Sequence, residues 1–528
     1  MKRYIYQAAI GLSLVAVTLT SCEKMLDLQP LNDVTSEVVY SNAEGYKKSL
    51  AKVYGSFALT GNSGPAGSPD IVGLDEGSNG DFYRTFWQAQ QLSTDETVIS
   101  WGDAGVQDFH NMNWTSDNPF LKGLYFKSMY QITLVNEFLR QSTDAKLSER
   151  SISGADADEI RKYRPEVRFL RAFQYWVLMD MFGNPPFVTE SDLIGGTLPK
   201  QISRAELFKY VESELKAIET ELPDTKTAAY YGRANKFAAQ ALLARIYLNA
   251  KVYTGTAKDN DAVIYAKKVI DGGYTLMSNY QNLLRNDNNV NNPESIMTIN
   301  YDGNKTQLFG GTSFLAHASV GGSMNASAYG LDGGWAGLRT TKALVNLFPN
   351  GDGSLDKRAQ FYTDGQSLEI NSLSTFTDGY AVTKYQNKNS AGVSGTNATF
   401  VDADVPLFRL AEMYLIYAEA TLRGGAGDNG LALTNFNKLR TRAYGNTSGI
   451  VTALTLDLIL DERARELYWE GHRRTDLVRY GRFTTADYVW PWKGGVKAGK
   501  SVETFKNIFP LPSADVTANP NLVQNTGY

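Results

Sequence analysis

Glu462, Glu466 and Glu470 stand four residues apart near the carboxyl end, interleaved with Arg463, Arg465, Arg473 and Arg474. Carboxylates can act as the acid and base of a glycoside hydrolase, but such a pair must flank a scissile bond. Three acids on one helical face beside arginines are better arranged for bidentate ion pairing, within the helix or to a neighbour. The sequence offers no Ser/His/Asp elbow, no zinc-ligand spacing and no Walker loop. Of the three histidines, His472 reads as a packing or capping residue. Asn286-Asp287-Asn288-Asn289 with Glu294 supplies oxygen ligands but lacks the spacing and glycine of a calcium loop, so it reads as an Asn-rich turn, and neither metal nor cofactor is expected.

The one residue whose position does suggest covalent chemistry is Cys22, the only cysteine in 528 residues. It follows Lys2 and Arg3, an apolar run from Ala8 to Thr20 and the small residue Ser21. That run is too short for a permanent membrane span, and the arrangement reads as a lipoprotein signal over residues 1–21 with a lipid carried on the Cys22 thiol. No later segment offers ~20 consecutive apolar residues, so the lipid would be the membrane attachment. A single cysteine excludes an intramolecular disulfide, leaving an exported chain to rely on its hydrophobic core.

Without Lys2 and Arg3, the mature chain carries 50 basic against 56 acidic residues, a net charge of −6, which argues against nucleic acid as a partner. Aromatic residues are abundant: 30 Tyr, 24 Phe and 8 Trp make 12% of the chain. Most should pack between helices, and the remainder suit a ligand with alternating apolar and hydroxyl faces.

The elements that must position these groups come in bursts. Apolar residues recur at helical spacing over 42–57, 120–139, 166–182, 203–222, 234–248 and 261–270, and again over 407–423, 432–442 and 456–474. Ser203-Arg-Ala-Glu206 forms a capping box, and Pro185-Pro186 and Pro223 act as stops. Ala238, Ala239, Ala241 and Ala244 permit close crossings like those of tetratricopeptide pairs, without a strict 34-residue repeat. The expected fold is therefore mostly α. Helix pairs at approximately 40–60, 120–273 and 406–483 would support loop-rich regions at approximately 61–115 and 274–405, in a single domain over 22–528. Those regions carry Trp87, Trp101 and Trp114, and the pairs Gly310-Gly311, Gly321-Gly322 and Gly333-Gly334. Two distant loop regions could thus converge on one recognition face.

Several strings resemble the SusD/RagB family of outer-membrane glycan-binding lipoproteins. They are Glu166-Val-Arg-Phe-Leu-Arg-Ala-Phe, Met181-Phe-Gly-Asn-Pro-Pro-Phe187, Pro406-Leu-Phe-Arg-Leu-Ala-Glu412, the stretch from Glu462 to Gly481, and the closing Phe509-Pro-Leu-Pro512 and Gln524-Asn-Thr-Gly-Tyr528. They span the chain in family order. The resemblance implies a helical scaffold beneath an irregular binding region. It also implies a place outside the cell on a lipid anchor, and a SusC-type TonB-dependent transporter as the partner that receives oligosaccharide.

The likeness extends to the starch-binding branch through Asp75-Glu-Gly77, Phe82-Tyr-Arg84-Thr85, Thr94-Asp-Glu96, Trp101, Phe309-Gly-Gly-Thr312 and Trp335. It implies a stacking arc of Trp101, Phe309 and Trp335, with Arg84 as a nearby hydroxyl donor. Two departures are visible: phenylalanine stands at 309 where tyrosine is expected, and Ala104 lacks the amide side chain that the branch places there. The function expected is non-catalytic capture of a glycan, with an α-glucan as the candidate, for delivery to the transporter. A glycoside hydrolase on the same scaffold, or a peptide-binding receptor of the same transport system, are the competing readings.

Overall fold

The computed structural model describes residues 35–65, 69–192, 195–290 and 292–528; Cys22 and the expected signal segment lie outside them. The described chain is mostly helical, with short two-stranded antiparallel pairs and one contiguous hydrophobic core running from Tyr40 to Leu522.

Twelve elements carry the scaffold and the site. They are α1 (Ala43–Gly55), α2 (Phe82–Gln91), α3 (Pro119–Gln141), α4 (Gly154–Met181), α5 (Arg204–Ile218), α6 (Lys236–Leu248), α7 (Asp259–Ile270), α8 (Gly311–Ala318), α9 (Leu410–Leu422), α10 (Asn429–Tyr444), α11 (Leu456–Leu467) and α12 (Arg473–Arg479). The starts are set by side-chain caps: Asn42, Asp81, Asn118, Ser203, Asn235, Asp428 and Thr455 each accept a backbone N–H from the first turn. Successive helices pack as neighbours, α3 on α4, α4 on α5, α6 on α7, α7 on α9 and α9 on α10. The alanines at 238, 239, 241 and 244 are fully buried where α6 meets its neighbours, so the backbones can approach closely there.

Four differences from the expected elements have physical causes. Helix α4 begins at Gly154 and runs through Pro165; its first three turns bury only Ala157, Ile160 and Tyr163 among three acids followed by three bases, and a proline inside a helix ordinarily marks an end. The segment Val405–Arg409 is a strand, paired with Ser295–Ile299, before α9 begins. Helices α2 and α8 lie within stretches read as loop. The expected helix over 456–474 is broken after Leu467, because Trp469 and Gly471 adopt left-handed backbone at φ 63° and 80°.

That break changes the geometry of the three acids while leaving their chemistry intact. All are buried, and their partners come mainly from other elements. Arg409 reaches Glu466 at 2.6 Å, Glu294 at 2.7 Å and Glu470 at 2.7 Å. Arg358 joins Glu462 at 2.7 Å and Glu466 at 3.1 Å, and Lys384 holds Glu470 at 2.6 Å. Of the arginines interleaved in sequence, only Arg465 pairs with these acids, reaching Glu462 at 2.8 Å; Arg463 turns to Asp476 and Arg473 to Asp95. Every one of these acids is thus committed to holding the helices to the loop region.

Candidate functional site

The site is assembled by a ladder two residues long. Strand β1 (Val98–Ile99) pairs antiparallel with β2 (Leu338–Arg339), Val98 opposite Arg339 and Ile99 opposite Leu338. Ser100 extends it, its N–H donating to the Gly337 carbonyl at 2.8 Å and its hydroxyl to the Ala336 carbonyl at 2.5 Å. Trp101 and Trp335 therefore leave the ladder on the same side. The Trp101 indole Nε1 donates to the Trp335 carbonyl at 3.0 Å, and the ring centroids lie 6.4 Å apart at 43°. Gly337 is the residue that permits this: a Cβ there would sit 2.6 Å from the Trp101 ring. Behind it, the N–H groups of Trp335, Ala336 and Gly337 donate to the carbonyls of His317, Val320 and Ala318, fixing the segment to the end of α8.

Phe309 reaches the same place from the start of α8. Its ring centroid lies 6.2 Å from Trp335 and 5.5 Å from Phe400. Asp81 pins this approach: it caps α2 through the Arg84 N–H at 2.6 Å and accepts the Gly311 N–H at 3.0 Å. Burial pushes the Asp81 carboxyl above its ordinary value against those two bonds. Gly310 packs its α-carbon against the Asp81 side chain, where no Cβ would fit.

Trp101, Phe309 and Trp335 thus form one run of rings, each partly exposed, and the structure brings Trp101 to two residues more than 200 positions away from it in sequence. Arg84 lies beneath this run. Only 6% of it is exposed, its guanidinium carbon sits 4.4 Å from the Phe314 centroid and 5.7 Å from that of Trp101, and Nη1 donates to the Gly77 carbonyl at 2.5 Å and the Phe309 carbonyl at 3.3 Å. Burial lowers its pKa to about 10, so it remains a cation at neutral pH. Its role in the protein is to join the Trp101 and Phe309 segments; Nη2 makes no hydrogen bond among the described residues. Ala104, on the loop after Trp101, is exposed.

Sequence reasoning missed the residues behind the arc. His317 stacks on Trp335 at 4.7 Å and 18°, and its two ring nitrogens lie 2.6 Å from the Gly333 carbonyl and 3.1 Å from the Thr399 carbonyl. It ties the loop carrying Trp335 to the loop carrying Phe400. Nothing local in the sequence signals this, because the contact exists only once α8, 333–335 and 399–400 have met. Asp81 was accessible to reasoning, being an N-cap residue three positions ahead of Arg84.

A run of tilted rings with a guanidinium beside it can cover the C–H faces of a sugar and hydrogen-bond a hydroxyl. It is an open face. The described cavities of about 380 and 670 Å³ lie elsewhere, against α1 and residues 226–233. The Asn-rich turn is committed to the protein: Asn288 bonds the carbonyls of Leu283 and Asp404, Asp287 accepts from Ser390, and Glu294 pairs with Arg409 and Arg442. Among the described residues no cluster of three or more acidic, histidine or cysteine side chains is placed to hold a metal.

Two family models match the chain: the SusD family over residues 355–528, and "Starch-binding associating with outer membrane" over residues 70–248. Starch-binding protein SusD of Bacteroides thetaiotaomicron is 34% identical over an alignment of 578 positions covering 100% of both chains. A SusD-like protein of Bacteroides ovatus is 23% identical over 92% of this chain and 84% of that one. Among solved structures, a laminarin-binding SusD-like protein superposes with a TM-score of 0.68 at 23% identity, covering 92% of this chain and 100% of that one. Surface glycan-binding protein A of Bacteroides thetaiotaomicron, solved in complex with laminarihexaose, gives 0.67 at 20% identity, covering 91% and 99%.

Proposed function

This chain belongs to the SusD family, and from that premise we propose that Trp101, Phe309 and Trp335 form the platform on which it binds oligosaccharide. The observation that carries the reading is the contiguity of the three rings, 6.4 and 6.2 Å between successive centroids, on an exposed face. The protein is a non-catalytic glycan-binding protein associated with the outer membrane, as its relatives are. An α-glucan is the first ligand to test, since the full-length relative at 34% identity binds starch.

A neutral sugar offers no charge to grip, so affinity must come from ring stacking and directed hydrogen bonds. Each stacked ring contributes on the order of 1 kcal/mol beyond area burial, and ordering a flexible oligosaccharide offsets part of the sum. Affinities of roughly micromolar to millimolar follow. Arg84 supports the platform from below and offers Nη2 to a hydroxyl. Cys22 carries the lipid that tethers the protein, facing the cell exterior, and a SusC-type transporter accepts the captured glycan. The acids at 462, 466 and 470 are engaged by Arg358, Arg409 and Lys384, which opposes the hydrolase reading.

Calorimetric titration with maltohexaose of the wild-type chain and of Trp335→Ala tests the reading. The variant should lose most of the platform affinity with an unchanged melting temperature. Unchanged affinity would remove the platform assignment.

A further inference from the structure

We propose that the chain carries a second glycan-binding groove, remote from the ring platform in its residues, between the turn 226–232 and the strand Ser295–Ile299. The groove has a volume of about 670 Å³ and is walled by Tyr230, Tyr231, Tyr274, Asn289, Asn292 and Thr298. That volume lies within the ~300–1,000 Å³ of small-ligand sites. Tyrosine faces alternate with amide and hydroxyl groups, and no acidic residue or arginine lines it. Its one cation, Lys226, is already used: Nζ donates to the Gly272 carbonyl at 2.6 Å and lies 4.9 Å over the Tyr274 ring. A charged ligand finds no counter-ion here, whereas a neutral polyhydroxylated one finds stacking surfaces and hydrogen-bonding groups.

Two side chains point to an absent partner. The Tyr274 hydroxyl, which has the Asn235 side chain beside it, and Asn292 Nδ2 are buried without a hydrogen bond of ordinary length and angle among the described residues, and Tyr274 is only 8% exposed. A buried polar group without a partner destabilises the fold, so the groove holds groups that a hydroxylated ligand would satisfy. The walls themselves are firmly placed. Tyr231 donates to Asp404 Oδ2 at 2.8 Å, Arg233 lies 4.6 Å over the Tyr230 ring, and Thr298 donates to Asn300 at 2.6 Å. At one end the groove shares Tyr231, Gly232, Met297 and Thr298 with the apolar cavity of about 380 Å³ lined by Leu50, Phe57, Ile299 and Leu407. That continuity gives the less polar face of a sugar chain a surface to lie on.

The test separates this groove from the platform by using Trp335→Ala as the background. Maltohexaose and laminarihexaose are titrated into the full chain, into Trp335→Ala, and into Trp335→Ala combined with Tyr274→Phe and Asn292→Ala. The groove predicts saturable binding of at least one of the two sugars to Trp335→Ala at one site per chain. It predicts at least tenfold weaker binding in the triple variant with the folded state retained, although Asn292→Ala also removes the Oδ1 that accepts the Glu294 N–H at 3.2 Å. Absence of binding to Trp335→Ala up to ~10 mM of either sugar, or an affinity and stoichiometry that the triple variant leaves unchanged from those of Trp335→Ala, overturns the groove. Should the triple variant fail to fold, amide exchange in Trp335→Ala decides: saturating sugar must slow exchange at Tyr230–Gly232, and unaltered exchange there contradicts the proposal. Failure of the platform reading is a different result, a wild-type isotherm that Trp335→Ala leaves unaltered.

Discussion

The indole N–H of Trp101 is bonded to the backbone carbonyl of Trp335, at 3.0 Å, across 234 residues of sequence. One ring is thereby oriented by the backbone of the other, a bond that Trp335→Ala keeps, and the two side chains are coupled through their ring contact, 6.4 Å between centroids. Residues coupled in this way lose affinity non-additively when both are removed. Trp101→Ala and Trp335→Ala should each weaken maltohexaose binding by about 1–2 kcal/mol, roughly 5- to 30-fold. The double variant should lose less than the sum of the two, as read by a double-mutant cycle in calorimetry.

Gly337 tests the same relationship from the backbone. A methyl group there would sit 2.6 Å from the Trp101 indole, which is free to move outward because that ring is only partly covered. Gly337→Ala should weaken sugar binding about as much as Trp101→Ala does, and should cost nothing further in a Trp101→Ala background. An additive loss in the double variant would show that the glycine acts through some other contact.

Arg84 joins the two aromatic segments by stacking on Phe314 and by donating to the carbonyls of Gly77 and Phe309. Lysine keeps the charge but loses the planar fork. Arg84→Lys should therefore lower sugar affinity several-fold while retaining the folded state, as checked by calorimetry beside a melting curve. Wild-type affinity in that variant would exclude both the joining role and the contact through Nη2.

Stability should depend on pH in two opposite ways. Burial alone raises Glu462 and Glu470, but the charges of Arg358, Arg465 and Arg440 on the first, and of Arg409 and Lys384 on the second, overcome it and hold both at about 2. Against an unfolded value near ~4.3, these depressed groups stabilise the fold above that pH, and the contribution is lost as pH falls toward ~2. Burial pushes Asp404 up to about 7 and Glu96 up to about 8. Raised carboxyls act the other way: their contribution is complete below ~4 and is lost as pH rises through 7 to 8. The denaturation midpoint should be highest near pH ~4–5 and fall on both sides. Asp404→Asn should flatten the alkaline limb. Glu466→Gln should lower stability at every pH by ~3–5 kcal/mol, because Arg409, Arg358 and Arg442 are left buried without their shared partner.

The scaffold was more legible in the sequence than the site's supports, for a physical reason. Helices that bury one stripe announce it, and Ser203 marks its helix start within three residues. Helix α2 buries every residue from Phe82 to Gln91, Arg84 and the glutamines at 88, 90 and 91 included, and a polar face that is itself buried gives no sign of a core helix. The break at Trp469 and Gly471 is a backbone event imposed by packing, with Trp469 fully buried and its N–H bonded to Glu96. The rings at 101, 309 and 335 were found by resemblance to a family rather than by pattern. A ladder of two residues a side leaves no periodic trace, and His317 becomes visible only once three separate segments have met.

The most direct test of the platform is a crystal structure of the chain with maltohexaose. The account predicts density for sugar rings lying against the exposed faces of Trp101, Phe309 and Trp335, with a hydroxyl within hydrogen-bond reach of Arg84. Bound sugar that leaves all three rings bare would contradict it.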